Sequence, residues 1–202
     1  PLFCVRDVLG SMFPESKCIV YSNYIVIAVS RKTDRVLFED ELKYLTDFLE
    51  ENKMYCAVSR SFSNPAEMRK HYLQTLKCLE LGSRINMGKV LFKYEDYVAH
   101  HIIDMCSSQA NLLDFCHPML MELVEYDEKN NTSYTRSLYS YILNDKKLLE
   151  TANNLHIHRN TMSYRIERIK QMLEVDLNDS NTVFQFLISF KILEYLNKEG
   201  IS

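Results

Sequence analysis

Between residues 148 and 173 two helix-length apolar patterns stand only three residues apart. Leu148, Ala152 and Leu155 share one face of a short helix. The connection is His156-Ile157-His158, and Met162, Ile166, Ile169 and Leu173 then recur at i, i+4, i+7 and i+11. That connection has the length of the turn in a helix-turn-helix, and Ala152 supplies the small side chain that two crossing helices need. His156 falls where many such turns place glycine, so the sequence departs there from the commonest version. An amphipathic helix pair in a bundle has the same periodicity, and the pattern alone leaves both readings open.

The second helix presents Asn160, Tyr164, Glu167 and Gln171 opposite its apolar face. Arg159, Ser163 and Lys170 line one flank, and Thr161, Arg165 and Arg168 the other. Recognition helices bring their N-terminal residues to base edges in the major groove, where Asn can bond adenine and Arg can bond guanine bidentately. On this reading His158, Arg159, Asn160 and Ser163 are expected to contact bases. Thr161, Tyr164, Arg165, Arg168 and Lys170 are expected to contact phosphates. The charge distribution agrees. Residues 146–173 carry six Lys and Arg against Glu150 and Glu167, a net +4, so the rest of the chain holds −7 of the overall −3. A basic island in an acidic protein suits a chain that meets DNA with one face.

The remaining sequence predicts a mixed architecture. Glycine and proline number only four each among 202 residues, which argues for helices rather than an all-β sandwich. Residues 17–30 read as two strands around a Ser22-Asn23 turn, 38–51 as a helix and 54–59 as a strand. Residues 65–81 read as a helix capped by Asn64 or Ser63 and stopped at Gly82, and 89–92 as a strand. This β-β-α-β-α-β order predicts an α/β layer. From Tyr94 onward the chain reads as helical, near 95–106, 109–125, 133–143, 147–154, 159–173 and 180–197. The polar run Asp127-Glu128-Lys129-Asn130-Asn131 reads as a linker or exposed loop.

Six cysteines at 4, 18, 56, 78, 106 and 116 form no CxxC pair and suggest reduced thiols in a cytoplasm. Cys106, Cys116 and His117 beside His100 and His101 match no standard metal spacing. Buried thiols and surface histidines are the preferred reading, with no metal and no cofactor. No apolar run reaches the roughly 18 residues that span a bilayer, and no signal peptide is evident. The chain begins with proline, which suggests a piece of a longer protein.

The stretch 151–173 resembles the C-terminal helix-turn-helix of the PucR family, which includes regulators of purine and sugar-diacid use. The resemblance is carried by Tyr141-Ile142, Thr151-Ala152, His158-Arg159-Asn160-Thr161, Tyr164-Arg165, Arg168-Ile169, Asp176-Leu177 and Asp179. His117-Pro118 and Tyr126-Asp127 look like the family's lead-in. Glu174 stands where a helix-ending glycine is common, and Ser180 where proline is common. Residues 59–82 resemble, more weakly, the end of a degenerate GGDEF-like domain. Active GGDEF cyclases carry paired glycines and acidic residues on a hairpin, and the hairpin here reads Tyr21-Ser22-Asn23-Tyr24.

The resemblance implies an α+β chain. A degenerate GGDEF-like α/β layer domain is expected over 1–98, a helical connector over 99–131 and an all-α helix-turn-helix domain over 132–202. It implies a cytoplasmic, non-catalytic transcription regulator that binds double-stranded DNA as a homodimer, with no membrane partner. A small-molecule effector would be sensed by a region before residue 1. The alternatives are a ligand-sensing or protein-interaction module without direct DNA readout, and a nucleotide cyclase in the first hundred residues. The apolar run 183–196 is expected to be covered mainly by the domain core.

Overall fold

The computed structural model describes residues 2–13, 16–30, 39–86 and 88–197. It opens with a helix that the sequence reading did not anticipate, α1 (Leu2–Met12). Leu9 and Phe13 from this end of the chain pack on Leu45 and Leu49 of α2 (Glu39–Glu51). Between these helices lies an antiparallel hairpin of β1 (Ser16–Tyr21) and β2 (Tyr24–Val29), with Tyr21 opposite Tyr24. Ser22 and Asn23 both adopt positive φ, 47° and 66°, as a two-residue hairpin turn of the twist-matching kind requires.

β3 (Cys56–Val58) and β4 (Leu91–Lys93) run parallel, with Cys56 opposite Leu91. The long crossover between them is α3 (Met68–Ile85), since parallel neighbours cannot be joined by a tight turn. Asn64 caps the entry to a 3₁₀ turn at Pro65–Glu67, its side-chain oxygen accepting from the Ala66 amide at 3.0 Å. The expected element order is present. Among the described residues, however, the four strands form two separate two-stranded ladders rather than one layer. β3 and β4 are three residues each, which leaves few backbone groups to recruit a further strand.

Gly82 does not end α3, which continues to Ile85. The glycine serves a close approach instead. A Cβ at this position would lie 2.4 Å from Phe92 Cγ, inside the ring's van der Waals surface. The sequence signal for a stop was therefore a packing signal.

A 3₁₀ turn at Tyr94–Tyr97 leads into α4 (Val98–Ser107), and a second at Leu112–Phe115 precedes α5 (Pro118–Asn130). Then come α6 (Tyr134–Leu143), α7 (Leu148–Asn154), α8 (Arg159–Leu173) and α9 (Ser180–Tyr195). Helices α5 to α9 share one core built on Leu120, Leu123, Leu138, Met162, Ile169, Phe186, Phe190 and Leu193, all fully buried. Burying a side chain of this size contributes about 1.5–3 kcal/mol, so this cluster dominates the stability of the C-terminal half.

Asp127 does not sit in a loop. It lies in the last turn of α5, which ends at Asn131 in the left-handed conformation. Its carboxylate accepts from the Tyr134 amide at 2.9 Å, the Thr135 amide at 2.7 Å and the Thr132 hydroxyl. One helix thus supplies the capping anion for the next, which satisfies amides that α6 would otherwise leave open.

The two halves of the chain meet where α4 packs on the C-terminal turns of α9. Glu194 accepts from three elements there. Tyr139 Oη of α6 lies 2.6 Å from Oε1, while Lys191 Nζ and His100 Nε2 of α4 each lie 2.9 Å from Oε2. Burial pushes the Glu194 carboxyl up, but hydrogen bonds from His100, Tyr139 and Lys191 outweigh it and hold the group down to about 2. Beside it, Tyr195 donates to Asp104 at 2.9 Å, and Asp104 pairs with Lys77 of α3 at 3.1 Å. The apolar run 183–196 is largely covered by the α5–α9 core, which takes Phe186, Phe190 and Leu193. Ile192 is buried against Ile103, Leu112 and Cys116, while Phe184 and Ile188 stay exposed.

The histidines weighed as metal ligands, His100, His101 and His117, have other partners. His101 Nδ1 lies 2.9 Å from Tyr94 Oη, and His117 Nδ1 accepts from the Met119 amide to cap α5. Cys106 is exposed, and burial pushes the Cys116 thiol up. No helix among the described residues is long and apolar enough to cross a membrane.

Candidate nucleic-acid interface

The α7–α8 pair is set by short-range chemistry. Ala152 is 1% exposed where the two helices cross, and α7 ends with Ile157 N–H on the Ala152 carbonyl at 3.0 Å. The chain reverses at His156 with φ 53°, the left-handed region that glycine normally occupies. The sequence departure at this turn is therefore a strained residue rather than a different turn. His158 then caps α8. Its Nδ1 accepts from the Asn160 amide at 3.2 Å, so a neutral ring carries its proton on Nε2 and presents a donor outward.

α8 buries Met162, Ile166, Ile169 and Leu173, as its periodicity predicts. Its first turn holds no acidic residue, so the positive end of the helix dipole is not neutralised from within that turn. His158, Arg159, Asn160, Thr161, Tyr164, Arg168 and Lys170 are all exposed, and Ser163 and Arg165 are half-buried.

The cations of the basic stretch are not equivalent. Lys146 donates to the Leu177 carbonyl at 2.9 Å, Lys147 pairs with Glu150 at 3.2 Å, and Lys170 pairs with Glu167 at 3.5 Å. The last two are exposed pairs that water can dissolve at little cost. Arg165 is engaged within the fold. Its Nη1 donates to Ser133 Oγ at 3.2 Å and to Ser137 Oγ at 3.0 Å, joining α8 to the start of α6. Among the described residues, none bonds the guanidinium of Arg159 or Arg168 or the side chain of Asn160.

The structure thus brings most of the sequence-assigned residues to one exposed helix surface and turns one of them, Arg165, inward. Sequence reasoning missed Ser133 and Ser137, which hold α6 against that helix, and Asp127, which ties the start of α6 to α5. Only for Asp127 was there a signal, the Tyr126-Asp127 pair.

A short helix, a left-handed turn and a longer helix that is buried on one face and basic on the other define a helix-turn-helix unit. Residues 134–192 match the family model described as the PucR C-terminal helix-turn-helix domain, so the C-terminal part of the chain carries a domain of that type. Similar proteins include the proline-responsive transcriptional activator PutR of Bacillus subtilis (strain 168), 23% identical over 142 residues, which are 70% of this chain and 34% of PutR. The DNA-binding transcriptional activator AdeR of the same organism is 24% identical over 181 residues, covering 86% of this chain and 43% of AdeR. The carbohydrate diacid regulator of Escherichia coli (strain K12) is 23% identical over 147 residues, 70% of this chain and 37% of that protein. The chain therefore spans less than half the length of these relatives. No solved structure matches it.

Proposed function

We propose that this chain is the DNA-binding portion of a transcription regulator and that it reads operator DNA through the N-terminal turns of α8, without catalysis. The observation that carries the reading is the pairing of two opposite faces on one helix. Met162, Ile166, Ile169 and Leu173 lock one side into the core, while Arg159, Asn160 and Arg168 stand exposed and unbonded on the other. His158, Arg159, Asn160 and Ser163 contact base edges. Thr161, Tyr164, Arg168 and Lys170 hold phosphates. The protein binds its operator as a homodimer in the cytoplasm, and its effector is a small molecule sensed elsewhere in the full-length regulator.

The N-terminal half acts as a degenerate, non-catalytic GGDEF-like region, its described strands split between two ladders. Its hairpin offers Tyr21-Ser22-Asn23-Tyr24 where a cyclase would carry glycines and metal-binding carboxylates. Product formation from GTP or ATP with Mg²⁺ would refute that assignment.

The test of DNA reading is a salt titration of binding to a selected operator and to scrambled duplex. Asn160→Ala costs about 1–3 kcal/mol on the operator and relaxes the choice at one base pair. Arg168→Gln weakens binding to all sequences alike and lowers the salt slope by about one. Wild-type protein without salt-dependent DNA binding would end this reading.

A further inference from the structure

Thr161, Arg165 and Arg168 are spaced i, i+4 and i+7 and form one flank of α8, with Tyr164 bordering it. Arg165 alone of these turns inward, where its guanidinium spans Ser133 and Ser137 at the start of α6. Ser137 is fully buried and its hydroxyl donates a hydrogen bond to the Ser133 carbonyl at 2.8 Å, so the contact is anchored on both sides. Asp127 holds the same turn from beneath. The residue next to Ser133 is Tyr134, half-buried, its ring stacked on Tyr126 at 5.9 Å between centroids. Among the described residues nothing bonds the Tyr134 hydroxyl. The neighbouring Ser133 accepts from Arg165, so Tyr134 opens α6 at the flank of α8 that also carries Arg168.

We infer that Arg165 is a positioning residue rather than a phosphate ligand, and that by docking α8 on α6 it makes Tyr134 a DNA-backbone contact continuous with Tyr164 and Arg168. This rests on the DNA-reading role of α8. A guanidinium already bonded to two hydroxyls at one edge has fewer donors for a phosphate, whereas a tyrosine held by stacking presents its hydroxyl at little entropic cost. Tyrosine hydroxyls are ordinary phosphate partners and carry no sequence information.

The two roles differ in a salt titration. A neutral hydroxyl releases no counterion on binding, and a cation at a phosphate does. With the full chain and a mixed-sequence duplex, Tyr134→Phe is expected to weaken binding roughly three- to ten-fold, on operator and scrambled DNA alike, with the salt slope unchanged. Arg165→Lys keeps the charge, but its shorter side chain sets the ammonium short of the Nη1 position from which both serines are reached. It is expected to bind as weakly as Arg165→Gln, and Tyr134→Phe is expected to cost much less in either background than in wild type. The Ser133→Ala, Ser137→Ala variant repeats this behaviour without touching any charge, and its melting temperature shows that the domain is folded. Recovery of wild-type affinity by Arg165→Lys, a slope loss for Arg165→Gln as large as for Arg168→Gln, or no effect of Tyr134→Phe would each overturn the inference. Wild-type binding with an unchanged Tyr134→Phe variant sinks only this inference, and absence of wild-type binding sinks the DNA reading itself.

Discussion

Replacing Gly82 by alanine sets two known effects against each other. In an exposed helix interior the change stabilises by about 1 kcal/mol, because alanine has the higher helix propensity. Here the new Cβ would lie 2.4, 2.5 and 2.8 Å from Cγ, Cδ1 and Cδ2 of Phe92. Ordinary carbon contacts begin near 3.5 Å, so the ring would have to retreat by about 1 Å. It has little room to do so. Phe92 is 1% exposed, stacked on Tyr55 at 6.1 Å and edge-on to Tyr97 at 5.7 Å, and its strand is hydrogen-bonded to β3. Overpacking costs about 1–3 kcal/mol, and a ring held on two sides falls in the upper part of that range, about 2–3 kcal/mol, so the net expectation is a loss of about 1–2 kcal/mol. The assay is amide hydrogen exchange across α3 and β4 with urea unfolding alongside, because the two halves of the chain need not unfold together. Phe92→Leu, which removes ring atoms from the contact, makes the double variant less unstable than the sum of the singles. A Gly82→Ala protein as stable as wild type, or more so, would show that the glycine is a propensity defect and would refute the packing argument.

Glu194 has a folded pKa of about 2 against an ordinary 4.5, so it contributes stability that is complete above pH 4.5. That contribution, about 2–3 kcal/mol at most, is lost as pH falls from 4.5 toward 2, and Glu194→Gln removes this part of the acid dependence in a pH series of urea melts. Glu174 ends α8 with φ 50° and Ser180 opens α9 after the extended Asp179, so Glu174→Gly and Ser180→Pro are each expected to raise the unfolding free energy by roughly 0.4–1 kcal/mol, seen as a higher urea midpoint. A lower midpoint for either would contradict the assigned cap geometry. Met162 is fully buried, and Met162→Asp is expected to cost at least ~3 kcal/mol and to abolish the cooperative melt of the C-terminal half, seen by circular dichroism.

The helix-turn-helix was legible in the sequence because its determinants are local. Periodicity selects the buried face of α8, and the termini of α6 to α9 fall within about two residues of expectation. The unusual residues at 156, 174 and 180 fall at a left-handed turn, a left-handed helix end and a first helical position, so even the departures located geometry. What was not legible depends on neighbours distant in the chain. A helical wheel places Arg165 on a flank but does not say whether that flank meets water or α6. Gly82 looks the same in sequence whether it frees φ or admits a ring ten residues away. Asp127 looked like part of a polar loop because a capping acid and a solvated one have the same composition. Glu194 joins groups 94 and 55 residues away, His100 and Tyr139, which no local pattern connects.

The Glu194 junction also bears on where the DNA-binding part can be cut. The stretch that matches the PucR domain runs from 134 to 192, so Asp127 lies seven residues before it and Glu194 two residues after it. A peptide trimmed to those limits would open the first amides of α6 and leave the buried Tyr139 hydroxyl without its acceptor. Retaining Glu194 while deleting α4 would instead strip one donor from the carboxylate. The matched stretch is therefore shorter than the set of residues that satisfies its own polar groups, and grafting it onto another protein with those groups satisfied requires carrying α5 and the final turns of α9 with it. A displacement of α4 would pull on the same carboxylate that holds the Tyr139 hydroxyl of α6, which gives the boundary between the halves the character of a shared joint rather than a tether.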